Sequence, residues 1–131
     1  MLDICTKYPR YMPVRAIRGA IQLPEDSFAA LQVAVPKLLA EIFEANGLHF
    51  DDGISVLFTV TPDLTVDFPA AAARSLPIGD LPLICAVEMD VPGALQRVVR
   101  VLVHAETSKS RSEIRHIYLD GAEVLRKDLA Q

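Results

Sequence analysis

The segment CAVEMDVPGALQRVVRVLV, residues 85–103, contains two apolar runs separated by a break at Pro92-Gly93. Glu88 stands at the end of the first run, and Arg100 lies inside the second. An ionised carboxylate and a guanidinium are costly to bury in aliphatic surroundings, so each requires a charged partner or a ligand. The segment therefore predicts a site for a small, polar, charged molecule, although either residue alone could equally belong to a structural ion pair.

The apolar run over residues 98–103 is compatible with a buried helix or a strand. Its enrichment in β-branched valine favours a strand. Because side chains alternate along a strand, Arg100 then shares a face with Val98 and Leu102. The opposite face carries Val99, Val101 and Val103.

Outward from this segment, strands and helices alternate along the chain. Alternating apolar residues predict strands over residues 14–23, 54–60, 81–87 and 115–119. Helical spacing predicts a long helix that begins at Phe28, after the turn and N-cap chemistry of residues 24–27, and ends at Asn46-Gly47. A short helix over residues 69–74 and a helical turn over 110–114 complete the pattern. The pattern therefore predicts a chain that alternates strands and helices.

Three residues qualify this prediction locally. Pro36 lies inside the long helix and predicts a bend or a split into two helices. Asp67 is placed to cap the short helix, which has Pro69 in its first turn. Pro82 suits the start or edge of a strand better than its middle.

The length of 131 residues predicts one domain, residues 1–131, of which 1–13 form an N-terminal extension. Hydrophobic residues make up 51% of the chain, and the mean hydropathy is +0.29. These values are high for a small soluble domain, so we expect apolar surface to be buried between subunits.

Several partners are disfavoured by the sequence. No apolar run approaches the roughly 18 residues of a membrane span, and the N-terminal segment lacks the apolar core of a signal peptide. The net charge is −4, and basic runs are absent from the sequence. We therefore expect a cytoplasmic protein that binds neither nucleic acid nor membrane.

The cysteines and histidines do not suggest a metal site. Cys5 and Cys85 lie far apart without CxxC spacing, so both are interpreted as free thiols. His49, His104 and His116 do not cluster in sequence and are interpreted as solvated or satisfied core residues.

Four segments in register resemble the AroH class of chorismate mutases. They are VRAIRGAIQL, TPDLTVDFPAAAARSL, LPLICAVEMDVPGALQRVVRVLV and IRHIYLDGAEVLRKDL, within residues 14–129. The resemblance implies an α/β (α+β) fold in which a mixed β-sheet packs with helices. It also implies assembly as a pseudo-barrel homotrimer with active sites at the subunit interfaces. The implied reaction is the Claisen rearrangement of chorismate to prephenate, with no cofactor and no metal.

The resemblance also implies residue roles. Arg100 corresponds to the guanidinium beside the breaking ether oxygen, and Glu88 to the carboxylate near the ring. Arg18 and Tyr118 correspond to residues that hold substrate carboxylates, and Arg126 to a basic residue at the mouth of the site. Pocket or rim positions are matched by Phe68, Ala70, Arg74, Cys85 and Leu125.

One departure and one alternative accompany this interpretation. Ala71 stands where a rim lysine is frequent in the family, which affects the charge at the mouth of the site. The alternative is a trimeric binding module without catalysis that senses a dicarboxylate metabolite. A binding module has no need to place a group against the transferring oxygen, so the simultaneous presence of Arg18, Glu88, Arg100 and Tyr118 favours the enzyme.

Overall fold

A computed structural model describes residues 12–126. Its strands are β1 (Val14–Gln22), β2 (Gly53–Val60), β3 (Leu83–Val87), β4 (Val98–Glu106) and β5 (Ile117–Leu119). Its α-helices are α1 (Phe28–Ala45) and α2 (Pro69–Ala73), and short 3₁₀ turns cover Phe50–Asp52, Arg111–Glu113 and Ala122–Arg126. The predicted mixed α/β fold is confirmed, and the run over residues 98–103 is a strand as its composition favoured. Cys5 and most of the predicted extension lie outside the described residues.

The five strands form one mixed sheet in the order β3-β2-β4-β1-β5. The central strand β4 is antiparallel to β1 and β2, and the two outer pairs, β2–β3 and β1–β5, are parallel. One row of paired residues crosses all five strands, and it consists of Ala86, Thr59, Arg100, Ala20 and Tyr118. Because paired residues in a sheet project to the same side, this register places Arg100 and Tyr118 on one face, separated by the small Ala20.

The opposite face of the sheet packs against α1 and forms the main core. Helix α1 buries Leu31, Ala34, Val35, Leu38, Leu39, Ile42 and Phe43. The helix approaches β1 so closely at Gly19 that a Cβ there would lie 2.6 Å from the Ile42 Cδ1 atom. A side chain at position 19 would therefore force the end of the Ile42 side chain to move.

The face with Arg18, Ala20, Thr59, Arg100 and Tyr118 is here called the second face. The Ala122–Arg126 turn packs on it, where Ala20, Val98 and Ala122 form a small buried cluster. Apart from this cluster, the second face carries the charged and polar side chains of Arg18, Thr59, Arg100 and Tyr118, on the side of the sheet away from α1.

Helix α1 runs without interruption through Pro36, so the predicted split into two helices is not observed. An interior proline costs about 3 kcal/mol. Full burial of a large aliphatic or aromatic side chain contributes about 1.5–3 kcal/mol, and the helix buries several of them. Packing against the sheet thus outweighs the cost of Pro36.

Several predicted boundaries differ from the structure by one or two residues, and one predicted cap differs as well. The third strand begins at Leu83, directly after Pro82, rather than at residue 81. The last strand begins at Ile117 rather than 115, because the backbone of Arg115 is bound by the side chain of Asn46. The cap residue of α2 is Phe68, and the Asp67 carboxylate accepts a hydrogen bond from the Phe68 N–H at 2.7 Å.

Asn46 links α1 to the strand β5. Its side-chain Nδ2 donates to the carbonyls of Ile42 and Arg115, and its Oδ1 accepts from the Arg115 N–H at 2.8 Å. The residue is 1% exposed, so these bonds form in a dry environment. They fix the start of β5 and, with it, the position of Tyr118.

No helix within residues 12–126 has the length and apolar character needed to cross a membrane.

Candidate active site

Glu88 and Arg100 form an ion pair at the end of β3. The Arg100 Nε lies 3.0 Å from the Glu88 Oε2. The Glu88 N–H donates to the carbonyl of Val60 at 2.8 Å, which extends the β2–β3 pairing by one residue and holds the carboxylate in place. The Glu88 side chain is 18% exposed, whereas that of Arg100 is 45% exposed. The two charges partner each other, and the guanidinium keeps accessible surface for a further anion.

Thr59 is a site residue that the sequence reasoning missed. Its Oγ1 donates to the Glu88 Oε2 at 2.6 Å, so one carboxylate oxygen receives both the hydroxyl and the Arg100 Nε. Thr59 and Arg100 are cross-strand partners, which explains why both reach the same atom. In the sequence, Thr59 is marked only as a polar residue within an apolar strand. Its contacts with Glu88 and Arg100 depend on how the strands pair.

A cavity of about 420 Å³ lies beside the Glu88–Arg100 pair and is bordered by the loop between β3 and β4. The loop rejoins β4 through Arg97, which has a positive φ of 58° that is unusual for a residue with a side chain. The Arg97 N–H donates to the Asp63 Oδ2 at 2.9 Å, and its Nε donates to the carbonyl of Leu23 at 3.0 Å. Asp63 therefore anchors the entry to β4.

Arg18, Tyr118, Leu125 and Arg126 lie together on the second face. Tyr118 shares the cross-strand row with Arg100, and Arg18 is two residues from Ala20 in the same strand and hence on the same side. The Arg126 guanidinium carbon is 5.7 Å from the centroid of the Tyr118 ring, within the range of a cation–π contact. Leu125 packs against the small buried cluster. The sheet thus brings this part of the predicted site together.

His116 is directly connected to Arg18. Its Nδ1 accepts a hydrogen bond from the Arg18 backbone N–H at 2.9 Å, so the neutral ring carries its proton on Nε2. Burial lowers the pKa of His116 below 6.5, and the nearby Arg18 and Arg126 cations lower it further. The satisfied role interpreted from sequence agrees with this contact, but the sequence did not indicate its proximity to the site.

The remaining predicted residues lie on another part of the structure. Phe68 and Cys85 line a groove of about 400 Å³ together with Val66 and Val87. Phe68 is 69% exposed, and Cys85 is a half-buried free thiol on the core side of the sheet. Ala70, in the first turn of α2, is half-buried against the main core, and Arg74, at the end of α2, is exposed.

The predicted set is therefore divided over separate parts of the chain. Glu88 and Arg100 line one cavity, Phe68 and Cys85 a second, and a third cavity of about 720 Å³ contains Arg18 and Arg126. No one of these three cavities includes members of all three groups.

Comparison with known proteins identifies the family. Residues 14–129 match the family model of chorismate mutase type I. The chain belongs to the chorismate mutase type I family. The match spans every residue that the sequence assigned to the site.

Relatives within the family cover most of this chain. The chorismate mutase AroH of Thermus thermophilus is 46% identical over 117 residues, which are 88% of this chain and 96% of that relative. The chorismate mutase AroH of Bacillus subtilis is 38% identical over 120 residues, or 91% and 94% of the two chains. A solved structure of a chorismate mutase from Clostridium thermocellum superposes with a TM-score of 0.81 at 45% identity, covering 83% of this chain and 97% of that structure's chain.

Proposed function

We propose that the protein is a chorismate mutase, an isomerase that rearranges chorismate to prephenate without a cofactor. The observation that carries the proposal is the Glu88–Arg100 pair, in which an anchored carboxylate holds a guanidinium that still has accessible surface. Membership of the chorismate mutase type I family supports the same activity.

The chemistry explains why a cation and an anion are needed side by side. In the rearrangement, the C–O bond breaks ahead of C–C bond formation, so the ether oxygen gains partial negative charge and the ring gains partial positive charge. Arg100 stabilises the oxygen and Glu88 stabilises the ring. Both groups are fixed before the reaction, so little reorganisation accompanies the change in charge. No nucleophile or proton transfer is required.

Thr59 is the positioning residue in this mechanism. Its hydroxyl and the Val60 carbonyl hold Glu88 from two directions, and Glu88 in turn orients the Arg100 guanidinium. The anion and the cation are therefore held at a fixed separation, which is the condition for electrostatic preorganisation.

Substrate binding is assigned to the cationic part of the second face. Chorismate is a dianion, and planar guanidinium groups match carboxylates in bidentate geometry. Arg18 and Tyr118 hold a carboxylate, while Arg126, stacked on Tyr118, acts at the mouth of the site.

A homotrimer with active sites at the subunit interfaces accounts for the divided arrangement. In this proposal the groove with Phe68 and Cys85, together with helix α2 carrying Ala70 and the following Arg74, comes from the neighbouring subunit and completes the site around Glu88 and Arg100. Support comes from large apolar side chains that are exposed in the isolated subunit near the proposed interface. They are Phe68 at 69%, Ile84 at 65%, Val87 at 66% and Met89 at 84%.

The location of the protein and the role of Cys85 are both consistent with this activity. The substrate is a small soluble metabolite, which fits a cytoplasmic enzyme that binds neither membrane nor nucleic acid. Cys85 serves as part of the pocket wall, because a small, half-buried thiol packs as an apolar group.

The direct test is loss of the ultraviolet absorbance of chorismate when purified protein is added, with prephenate identified as the product. Light scattering under the same conditions is expected to report about three times 14.4 kDa. A stable monomer with full activity would contradict the shared sites. Saturable chorismate binding without turnover would instead support the non-catalytic binding module.

A further inference from the structure

The cavity of about 720 Å³ contains more positive charge than the proposed substrate contacts require. Besides Arg18, Arg126 and His116, its lining includes Arg111 and Arg115, and it includes no acidic residue. Neither Arg111 nor Arg115 belongs to the set of residues that the family resemblance assigns to the site.

The guanidinium groups around this cavity are not neutralised by carboxylates of the described chain. The ion pairs within residues 12–126 join Lys37 to Asp120 and Arg100 to Glu88. Glu113, in the same 3₁₀ turn as Arg111, is occupied by accepting the Ser110 N–H at 2.8 Å. Glu41 and Glu44 line a separate cavity that shares only Ala45 with this one.

Both arginines are held by backbone contacts that do not involve their side chains. The backbone of Arg115 bonds to the buried side chain of Asn46 through both its N–H and its carbonyl. Arg111 begins the 3₁₀ turn that Ser110 and Glu113 cap reciprocally. Both side chains are exposed, so they are positioned by the fold yet free to contact a ligand.

We propose that Arg111 and Arg115 form an anion-capture site that guides the dianionic substrate toward Arg18 and the catalytic pair. The proposal rests on the proposed function, since it names the route to that site. The chain carries a net charge of −4, so its overall field opposes the approach of a dianion. A local cluster of cations in a concave surface concentrates the field and raises the local concentration of an anionic ligand.

The test compares Arg111→Gln and Arg115→Gln with the control Lys37→Gln. All three variants remove one positive charge, but Lys37 lies on α1 in an exposed pair with Asp120. Charged clefts raise association about 10–10³-fold in total. We therefore expect kcat/KM to fall about threefold in each arginine variant at low salt, with kcat unchanged and the control like wild type. At about 0.5 M salt the differences should nearly vanish, because screening shortens the electrostatic range to a few ångströms.

A charge reversal, Arg115→Glu, should enlarge the fall in kcat/KM, and thermal melts of each variant confirm that the fold persists. If the wild-type protein is active and the arginine variants keep its kcat/KM and salt dependence, the capture-site proposal is wrong while the proposed function stands. A fall in kcat at unchanged KM would also overturn it, because the residues would then act in the chemistry. Wild-type protein without turnover would overturn the proposed function, and the capture site with it.

Discussion

Replacing Thr59 with valine tests the positioning of the catalytic carboxylate. Valine keeps the volume and β-branched shape of threonine but removes the hydroxyl that donates to the Glu88 Oε2 at 2.6 Å. Arg100 binds the same oxygen at 3.0 Å, so loss of the hydroxyl frees the carboxylate to rotate with the guanidinium. We expect the reacting groups to be less well placed, with substrate binding through Arg18 and Tyr118 retained.

The structure sets the size of the effect. A hydrogen bond to a charged group contributes about 1.5–3 kcal/mol. Since each 1.36 kcal/mol changes a rate about tenfold, the full bond corresponds to about 10-fold to 150-fold in kcat. Glu88 keeps its backbone bond to Val60, and its side chain is 18% exposed, so water replaces part of the lost contact. We therefore expect the lower end, a fall in kcat of about tenfold with little change in KM.

The assay is steady-state decay of chorismate absorbance, with a thermal melt of each variant. Thr59→Ser is the matched control, because it retains the hydroxyl and should retain most of kcat. If Thr59→Val keeps the wild-type kcat while folding normally, the hydroxyl does not position Glu88, and that part of the mechanism is wrong.

Three further predictions concern the surroundings of the site. Arg126→Ala should mainly raise KM, because this cation acts at the mouth over Tyr118; steady-state kinetics showing a large fall in kcat at constant KM would place it in the chemistry. His116 has a pKa below 6.5 in the folded state, so the unfolded state binds more protons and stability should decline as pH falls through about 6.5. Urea midpoints at successive pH values should show a shallower decline in His116→Gln, and identical slopes would contradict the assignment. Asn46→Ala should destabilise the protein by about 2 kcal/mol, because the partly buried backbone N–H and carbonyl of Arg115 lose their partner; a thermal melt like that of wild type would contradict this.

The sequence predicted the local character of the segment around the site well. Valine enrichment favoured a strand over residues 98–103, and the alternation of its side chains separated Arg100 from the core. The requirement that Glu88 and Arg100 each have a partner is met by their mutual contact. Both inferences depend on neighbouring residues, and hence on information that the local sequence contains.

Contacts between distant strands were beyond the sequence reasoning. Thr59 reaches Glu88 only because β2 pairs with β4 in a register that sets Thr59 opposite Arg100. A shift of one residue would turn the hydroxyl toward the core, and nothing in either strand alone fixes that register. The bond between Arg18 and His116 likewise joins residues about one hundred positions apart. The late start of β5 depends on a single buried side chain, Asn46, which looks in sequence like an ordinary helix end.

The central claim is that Arg100 stabilises the transition state, and the kcat of Arg100→Ala tests it most directly. The ether oxygen gains charge only as its bond breaks, so the guanidinium matters more in the transition state than in the bound substrate. We predict that kcat falls at least about 10²–10³-fold in a variant that stays folded and still binds chorismate through Arg18 and Tyr118. Arg100→Lys should recover part of the rate, because the charge remains while the planar geometry is lost. A folded Arg100→Ala variant with near-normal kcat would show that Arg100 serves only its ion pair with Glu88 and would contradict the mechanism.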